Sequence, residues 1–547
     1  MTAWVLLAGA LGCPDPAKIE APAEAAVPEV LSPLPDARLA RRLSLDLRGV
    51  LPSLAELDSL EAGQVDTSTL RDSYLDDPRF EERFVQLLGQ AWRTQVDEFL
   101  VRYVEYPELA GDEANEYPFE RAVGEEPLRL AARVAAEDLP WATIVTGDWS
   151  MANEVTGHLW PVDYPADATG WQKVHYTDGR PSAGILATNG LWWRYFSTVS
   201  NYNRGRVAAI ARLLLCEDYL SREVSVAGGS SVADAADIED HLRGNPYCLG
   251  CHSSIDPIAT ALFGFWPANE YSIEEIERYH PEREPLGPIL LDVAPSWFGT
   301  PFTSLADLGP LIEEDPRFAT CAAETMASLL WRREATLEDG AELADVRAAW
   351  MAEPRMKAVM RAVTDGAKYR AGGFTAAASA PDLERERVVR QLDAPLLASV
   401  LDDLTGFSWS WEGFDQLRSD TWGFRVLGGG VDGLYETRSL DVPSLTWLLV
   451  VQRAAESAAA AAVDAELLGG GDRRAFVAVT LDDVPGDEAF TDELVALHRR
   501  LYGSRPEPSW TAEVEALWSA SAAEADAAEA WRTTLAALLQ DPLFVSY

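Results

Sequence analysis

Apolar residues recur three and four positions apart over residues 38–47, 54–60, 79–92, 128–136 and 206–215. That spacing gathers them on one face of a 3.6-residue repeat and predicts an amphipathic helix at each place. The pattern Asp-Pro-x-Phe occurs at 77–80, 315–318 and 541–544, each time behind a leucine-bearing stretch. Asp accepts the orphan N–H groups of a first turn, and Pro at the first helical position has its φ already set, so each occurrence predicts a joint between helices. Asp256-Pro257 is expected to start a helix in the same way. Residues 149–179 carry no such period and are rich in Pro, Gly and aromatics. They are expected to be irregular, with Trp160, Tyr164 and Trp171, and Trp192 and Trp193 beyond them, packing a core rather than forming a carbohydrate platform. The pattern as a whole predicts a mainly α, multi-domain chain with irregular Trp/Pro/Gly-rich insertions.

The 547 residues include 45 Lys+Arg against 88 Asp+Glu, a net charge of -43. Such a surface repels phosphate backbones and anionic membrane faces, which excludes nucleic-acid binding as a function class. A hydrophobic fraction of 48% is enough for packed cores and excludes a wholly disordered chain. The first residues read as an export signal. Trp4 to Leu11 is apolar and is followed by Gly12-Cys13, then by Ala- and Pro-rich sequence. Residues 1–12 are therefore expected to be a lipoprotein-type signal peptide, although the basic residues usual at its start are missing. Cys13 would be the lipidated residue and 13–36 a flexible linker. No later apolar run reaches the roughly 18 to 20 residues of a spanning helix, so contact with a membrane is expected only through the lipid.

Five cysteines occur, and two of them stand in Cys248-Leu249-Gly250-Cys251-His252. C-x-x-C-H is the attachment pattern of c-type haem. Two thiols three positions apart reach the two vinyl groups of one porphyrin, and the adjacent imidazole lies under the iron. The expected cofactor is one covalent haem c held by Cys248 and Cys251, with His252 as iron ligand. A local disulfide, a zinc site or a thioredoxin-like dithiol remain alternatives, but no second Cys or His pair follows closely for zinc and no βαβ pattern surrounds the motif for a redox dithiol. With Cys13 acylated, Cys216 is left to pair with Cys321. Met326, 74 residues beyond His252, is a candidate distal ligand, with His280 as the alternative and an ordinary core methionine as the plain reading of Met326.

Residues 241–265, HLRGNPYCLGCHSSIDPIATALFGF, resemble the C-x-x-C-H plus I-D-P segment of large envelope proteins of planctomycetes and myxobacteria-like organisms, which carry cytochrome c-like domains. Residues 41–52, RRLSLDLRGVLP, are similar to the R-R-x-x-L-D-L-x-G-x-x-P opening of one domain of those proteins, and 74–92 to the helix after it. Residues 180–216 resemble the segment before the haem-type motif, and 531–547 the usual chain end. The resemblance implies a haem-type envelope protein of the periplasm or outer membrane and supplies no established activity. Composition shifts place an N-terminal helical domain at 37–112, a Trp-rich helical and irregular domain at 113–235, a cytochrome c-like haem domain at 236–370 and a C-terminal helical domain at 371–547. Gly428 to Gly433 formally matches G-x-G-x-x-G, but Pro443 interrupts the segment where a helix would have to run, and a glycine turn is expected instead. The function expected from these features is electron transfer to a redox partner in the envelope. A haem oxidoreductase with an open distal site and a haem-free surface interaction protein with a disulfide at the motif are the alternatives.

Overall fold

The computed structural model describes residues 30–222, 242, 244–268, 272–440 and 442–547, so the signal-type segment and Cys13 lie outside the described residues. The apolar periodicity of the first hundred residues becomes α1 (Asp36–Arg48), α2 (Leu54–Glu61), α3 (Thr67–Leu75) and α4 (Arg79–Trp92). Gly49 closes α1 at φ 73°, a left-handed position that suits glycine. Ser53 and Glu56 form a reciprocal cap on α2. The helix expected at 128–136 is longer, α5 (Glu116–Ala136), and holds Pro127 in its interior. Downstream lie α6 (Arg204–Leu215), α7 (Pro246–Ala259), α8 (Leu305–Glu314), α9 (Pro316–Trp331), α10 (Gly340–Ala352) and α11 (Met356–Asp365). The rest is built on α12 (Ala394–Thr405), α13 (Leu445–Ala462), α14 (Glu488–Tyr502), α15 (Pro508–Glu524) and α16 (Ala527–Leu538).

The carboxylates of Asp77, Asp315 and Asp541 accept the N–H groups of Arg79, Arg317 and Leu543, so the three Asp-Pro-x-Phe sites do begin helices. Asp256-Pro257 does not. It lies inside α7, and the Asp256 carboxylate is taken by Arg204 and His252, which leaves nothing to cap a new helix.

Strand is confined, among the described residues, to four antiparallel pairs. These are β1 (Leu31–Pro33) with β6 (Ala371–Phe374), β2 (Ser150–Ala152) with β3 (Gln172–Val174), β4 (Ser296–Trp297) with β5 (Thr300–Pro301), and β7 (Ser410–Trp411) with β8 (Phe414–Asp415). The end of the stretch expected as a linker is thus ordered by main-chain pairing to residues 371–374. Residues 149–179 are largely irregular as expected, carrying only β2, β3 and the short helix Glu154–Leu159. Trp160, Trp192 and Trp193 are buried. Gly428 to Gly433 is a turn: Gly429 and Gly433 have φ of 86° and 76°, and Asp432 caps the N–H groups of Leu434, Tyr435 and Glu436.

Two main cores form. One runs from Leu34 to Tyr369 and takes in residues of α2 to α11; the other joins Leu45 and Leu51 to residues 392–547. Helix α1 serves both, with Leu39, Leu43 and Leu47 toward the first and Leu45 toward the second. Its polar residues tie the chain ends together. Arg41 donates to the carbonyls of Phe544 (2.6 Å) and Ser546 (3.0 Å), and Arg42 to those of Tyr369 and Ala371 (both 2.7 Å). Between the cores, fully buried Asp46 accepts from Arg390 (2.7 Å), Tyr547 (2.6 Å) and Tyr369 (3.1 Å). A smaller aromatic core holds Tyr103, Tyr106, Phe119, Trp160 and Trp193.

Candidate functional site

Helix α7 opens on Pro246, a residue suited to a first helical turn, and carries Cys248, Cys251, His252 and Asp256. Both cysteines are free thiols of intermediate exposure. Their spacing of three puts them one turn apart on neighbouring positions of the helix surface. His252 is followed four residues later by Asp256, and the helix brings the two side chains together: the imidazole Nδ1 lies 2.9 Å from an Asp256 carboxylate oxygen. A carboxylate only accepts, so Nδ1 carries the proton of this bond and the Nε2 lone pair is directed elsewhere. Nε2 has no hydrogen-bond partner among the described residues.

Asp256 is itself held from α6. Arg204 grips it with two bonds, Nε at 2.9 Å and the terminal nitrogen at 3.0 Å. Burial pushes the Asp256 carboxyl up, but the hydrogen bonds from His252 and Arg204 outweigh it and hold the group below the ordinary aspartate value. Ser254 and Tyr219 meet at 3.1 Å, and Arg222 reaches the Cys251 sulfur at 3.8 Å. Beyond the motif, Phe263, Phe265 and Trp266 are buried and make ring contacts with Tyr202, Trp192 and Tyr279. Gly264 permits this: a Cβ there would stand 2.0 Å from the Tyr279 ring.

These contacts make the Arg204–Asp256–His252 chain a contributor to stability as well as an orienting device. Asp256→Asn exchanges a charged acceptor for a neutral one and is expected to lower stability by about 1.5–3 kcal/mol, read as the thermal midpoint of the haem-free protein. An unchanged midpoint would show the chain to be energetically idle.

The other expected ligands stand apart. Met326 is buried on α9 beside a small cavity lined by Leu88, Trp92, Trp141, Leu213 and Met356 among others, and no residue of α7 lines it. His280 has both ring nitrogens facing protein acceptors, the Glu275 carbonyl at 3.1 Å and the Glu282 carboxylate at 3.2 Å, so neither nitrogen is directed into open space. Cys216 and Cys321 form a disulfide across α6 and α9, with Cα atoms 5.1 Å apart. Among the described residues no group of three or more His, Cys, Asp or Glu side chains gathers as a metal site, and no helix is long and apolar enough to cross a membrane.

The donor set fits a c-type haem on its proximal side: two free thiols at the required spacing, and an adjacent imidazole whose proton is fixed on the far nitrogen. Asp256 and Arg204 are the site residues that sequence reasoning missed. The His-x-x-x-Asp spacing was the available signal for the first, and nothing local pointed to the second. A scan against protein-family models and searches of the curated proteins and of the solved structures find no match.

Proposed function

We propose that the chain is an exported c-type haem protein of the cell envelope that transfers electrons. The observation that supports this reading most is the set of three donors on α7, free Cys248 and Cys251 followed by His252 with Nδ1 tied to Asp256. Cys248 and Cys251 would hold the porphyrin and His252 the iron, and the bound group would supply a one-electron couple. Asp256 acts on the imidazole: a carboxylate accepting its N–H makes it a stronger donor, and Arg204 keeps that carboxylate in place. Asp256→Asn is therefore expected to raise the reduction potential of the haem-loaded protein, since a weaker donor stabilises the oxidised iron less. The Cys216–Cys321 disulfide favours an oxidising compartment, which agrees with export, and Cys13 would tether the chain by its lipid. The redox partner would be another protein of the envelope.

The direct test is co-expression with c-type maturation machinery. Haem should remain with the unmutated chain through denaturing electrophoresis, and Cys248→Ser with Cys251→Ser should abolish it. An unmutated chain without haem under those conditions overturns the proposal and leaves the reading of a haem-free surface protein with a disulfide at the motif.

One observation favours a second reading. Met326 is buried beside a small cavity that no residue of α7 lines, and both His280 nitrogens face protein acceptors. A haem without a second protein ligand keeps a place for a small molecule, as in a haem oxidoreductase. Carbon monoxide separates the two: rapid binding to the reduced protein supports the oxidoreductase, and slow or absent binding supports the carrier.

A further inference from the structure

Seven arginines and three carboxylates line one cavity, in a chain where acidic residues outnumber basic ones 88 to 45. The cavity, of about 670 Å³, lies among the end of α4, the end of α6, the C-terminal half of α9 and the segments around residues 387–391 and 437–440. Five of the arginines are already engaged by an acid or a carbonyl: Arg332 with Asp393, Arg333 with Asp339, Arg390 with Asp46, Arg438 with Glu334 and Arg387 with the Glu384 carbonyl. Arg93 and Arg212 are not. Neither forms an ion pair among the described residues, and Arg212 has only the Tyr195 hydroxyl and ring as partners.

The fold holds these two guanidinium groups near each other despite their repulsion. Arg93 closes α4 in a left-handed conformation, φ 55°, and its carbonyl is gripped by Arg194 at 2.6 Å. Arg212 is fixed on α6, one turn before the disulfide that binds α6 to α9. Burial pushes the Arg93 guanidinium below the ordinary arginine value, and the neighbouring charge of Arg212 pushes it further, against smaller opposing effects of Tyr195 and of Asp218 on the same wall. Gln391, also on the wall, has both its amide oxygen and its amide nitrogen buried with no hydrogen-bond partner. A buried, unsatisfied amide is costly in a native structure unless something else completes it, and two neighbouring half-buried guanidinium groups without ion pairs favour an anion between them. Trp92, Leu213, Leu329, Val389 and Leu440 supply apolar wall, and the volume is that of a small-molecule site.

We infer that this cavity binds a small organic dianion, a phosphate ester or a dicarboxylate, whose charged groups are held by Arg93 and Arg212 and whose body lies on the apolar wall. Arginine forks suit both oxyanions, which is why the two chemistries share one prediction. The inference is independent of the haem reading.

The test is calorimetric titration of the full mature chain at low salt with phenyl phosphate and with phthalate, and with benzamide as a neutral body of similar size. At least one dianion should bind with one-to-one stoichiometry and benzamide should not. Stronger binding of phenyl phosphate supports a phosphate-ester site, and stronger binding of phthalate supports a dicarboxylate site. Arg93→Met and Arg212→Met should each weaken binding about tenfold, since a charge-assisted bond is worth about that factor. Both variants should fold, because each removes an unpaired charge, and unfolding curves check this. Gln391→Met, which leaves both arginines in place, should weaken binding by a smaller factor. A bound dianion should also raise the unfolding midpoint of the unmutated chain. Absence of heat from both dianions at millimolar concentration, or equal affinity in the arginine variants, overturns the inference.

Discussion

Asp46→Asn is expected to destabilise the protein by about 3–5 kcal/mol, the range for removing one partner of a buried ion pair. The side chain is fully buried and so is its partner Arg390, at 2.7 Å, with Arg332 a second cation at 3.8 Å. Asparagine keeps the shape but leaves Arg390 charged in an apolar surround. The effect should reach both cores, because Tyr369 closes one while Tyr547 belongs to the other, and both donate to the same carboxylate. The pH dependence has a definite sign. Burial pushes the Asp46 carboxyl up, but Arg390, Arg332, Arg83 and the Tyr547 hydroxyl together hold it below its ordinary value. Its contribution is therefore complete above the unfolded-state pKa of about 3.9 and is lost as pH falls from there through the folded value. Chemical denaturation at neutral pH and near pH 3 should show a large gap between the unmutated protein and Asp46→Asn in the first case and a smaller gap in the second. Equal stability at neutral pH would contradict the role given to this carboxylate.

Removing the Cys216–Cys321 bridge should have a comparable effect. The two residues are 105 positions apart, and in the chain-entropy model a closed loop of about a hundred residues contributes about 4.7 kcal/mol. The double serine variant should therefore unfold roughly 4–7 °C below the unmutated protein, because the unfolding entropy of so long a chain spreads the loss over few degrees. Peptide mapping without reduction should recover the cross-linked pair from correctly exported protein. Two freely alkylated thiols would contradict the pairing.

The extent to which these features could be read in advance depends on how local they are. Helices α1 and α4 were legible because a 3.6-residue period needs only neighbours, and the three Asp-Pro starts because a cap acts within two residues. The first half of α5 was missed because Pro127 hides the continuity of the period. Asp256 misled for a related reason: Asp-Pro signals a cap when the carboxylate is free, and this one is engaged by Arg204, 52 residues away. The contiguous cysteines and His252 stood out in the sequence, whereas the orientation of the imidazole needed both helices. Arg41, Arg42 and Asp46 were visible only as part of a resemblance. Their task is to join α1 to carbonyls and hydroxyls more than three hundred residues distant, and no pattern along the chain announces it. The arginine-lined cavity was invisible for the same reason, since its walls come from five separated segments.

The central claim is that Cys248, Cys251 and His252 hold one haem. The measurement that bears on it most directly is the intact mass of the chain exported in cells with c-type maturation machinery, compared with the same chain made without it. The account predicts an increase equal to one haem, retained after denaturation and absent when Cys248 and Cys251 are both serine. A mass equal to that of the processed polypeptide alone would contradict it.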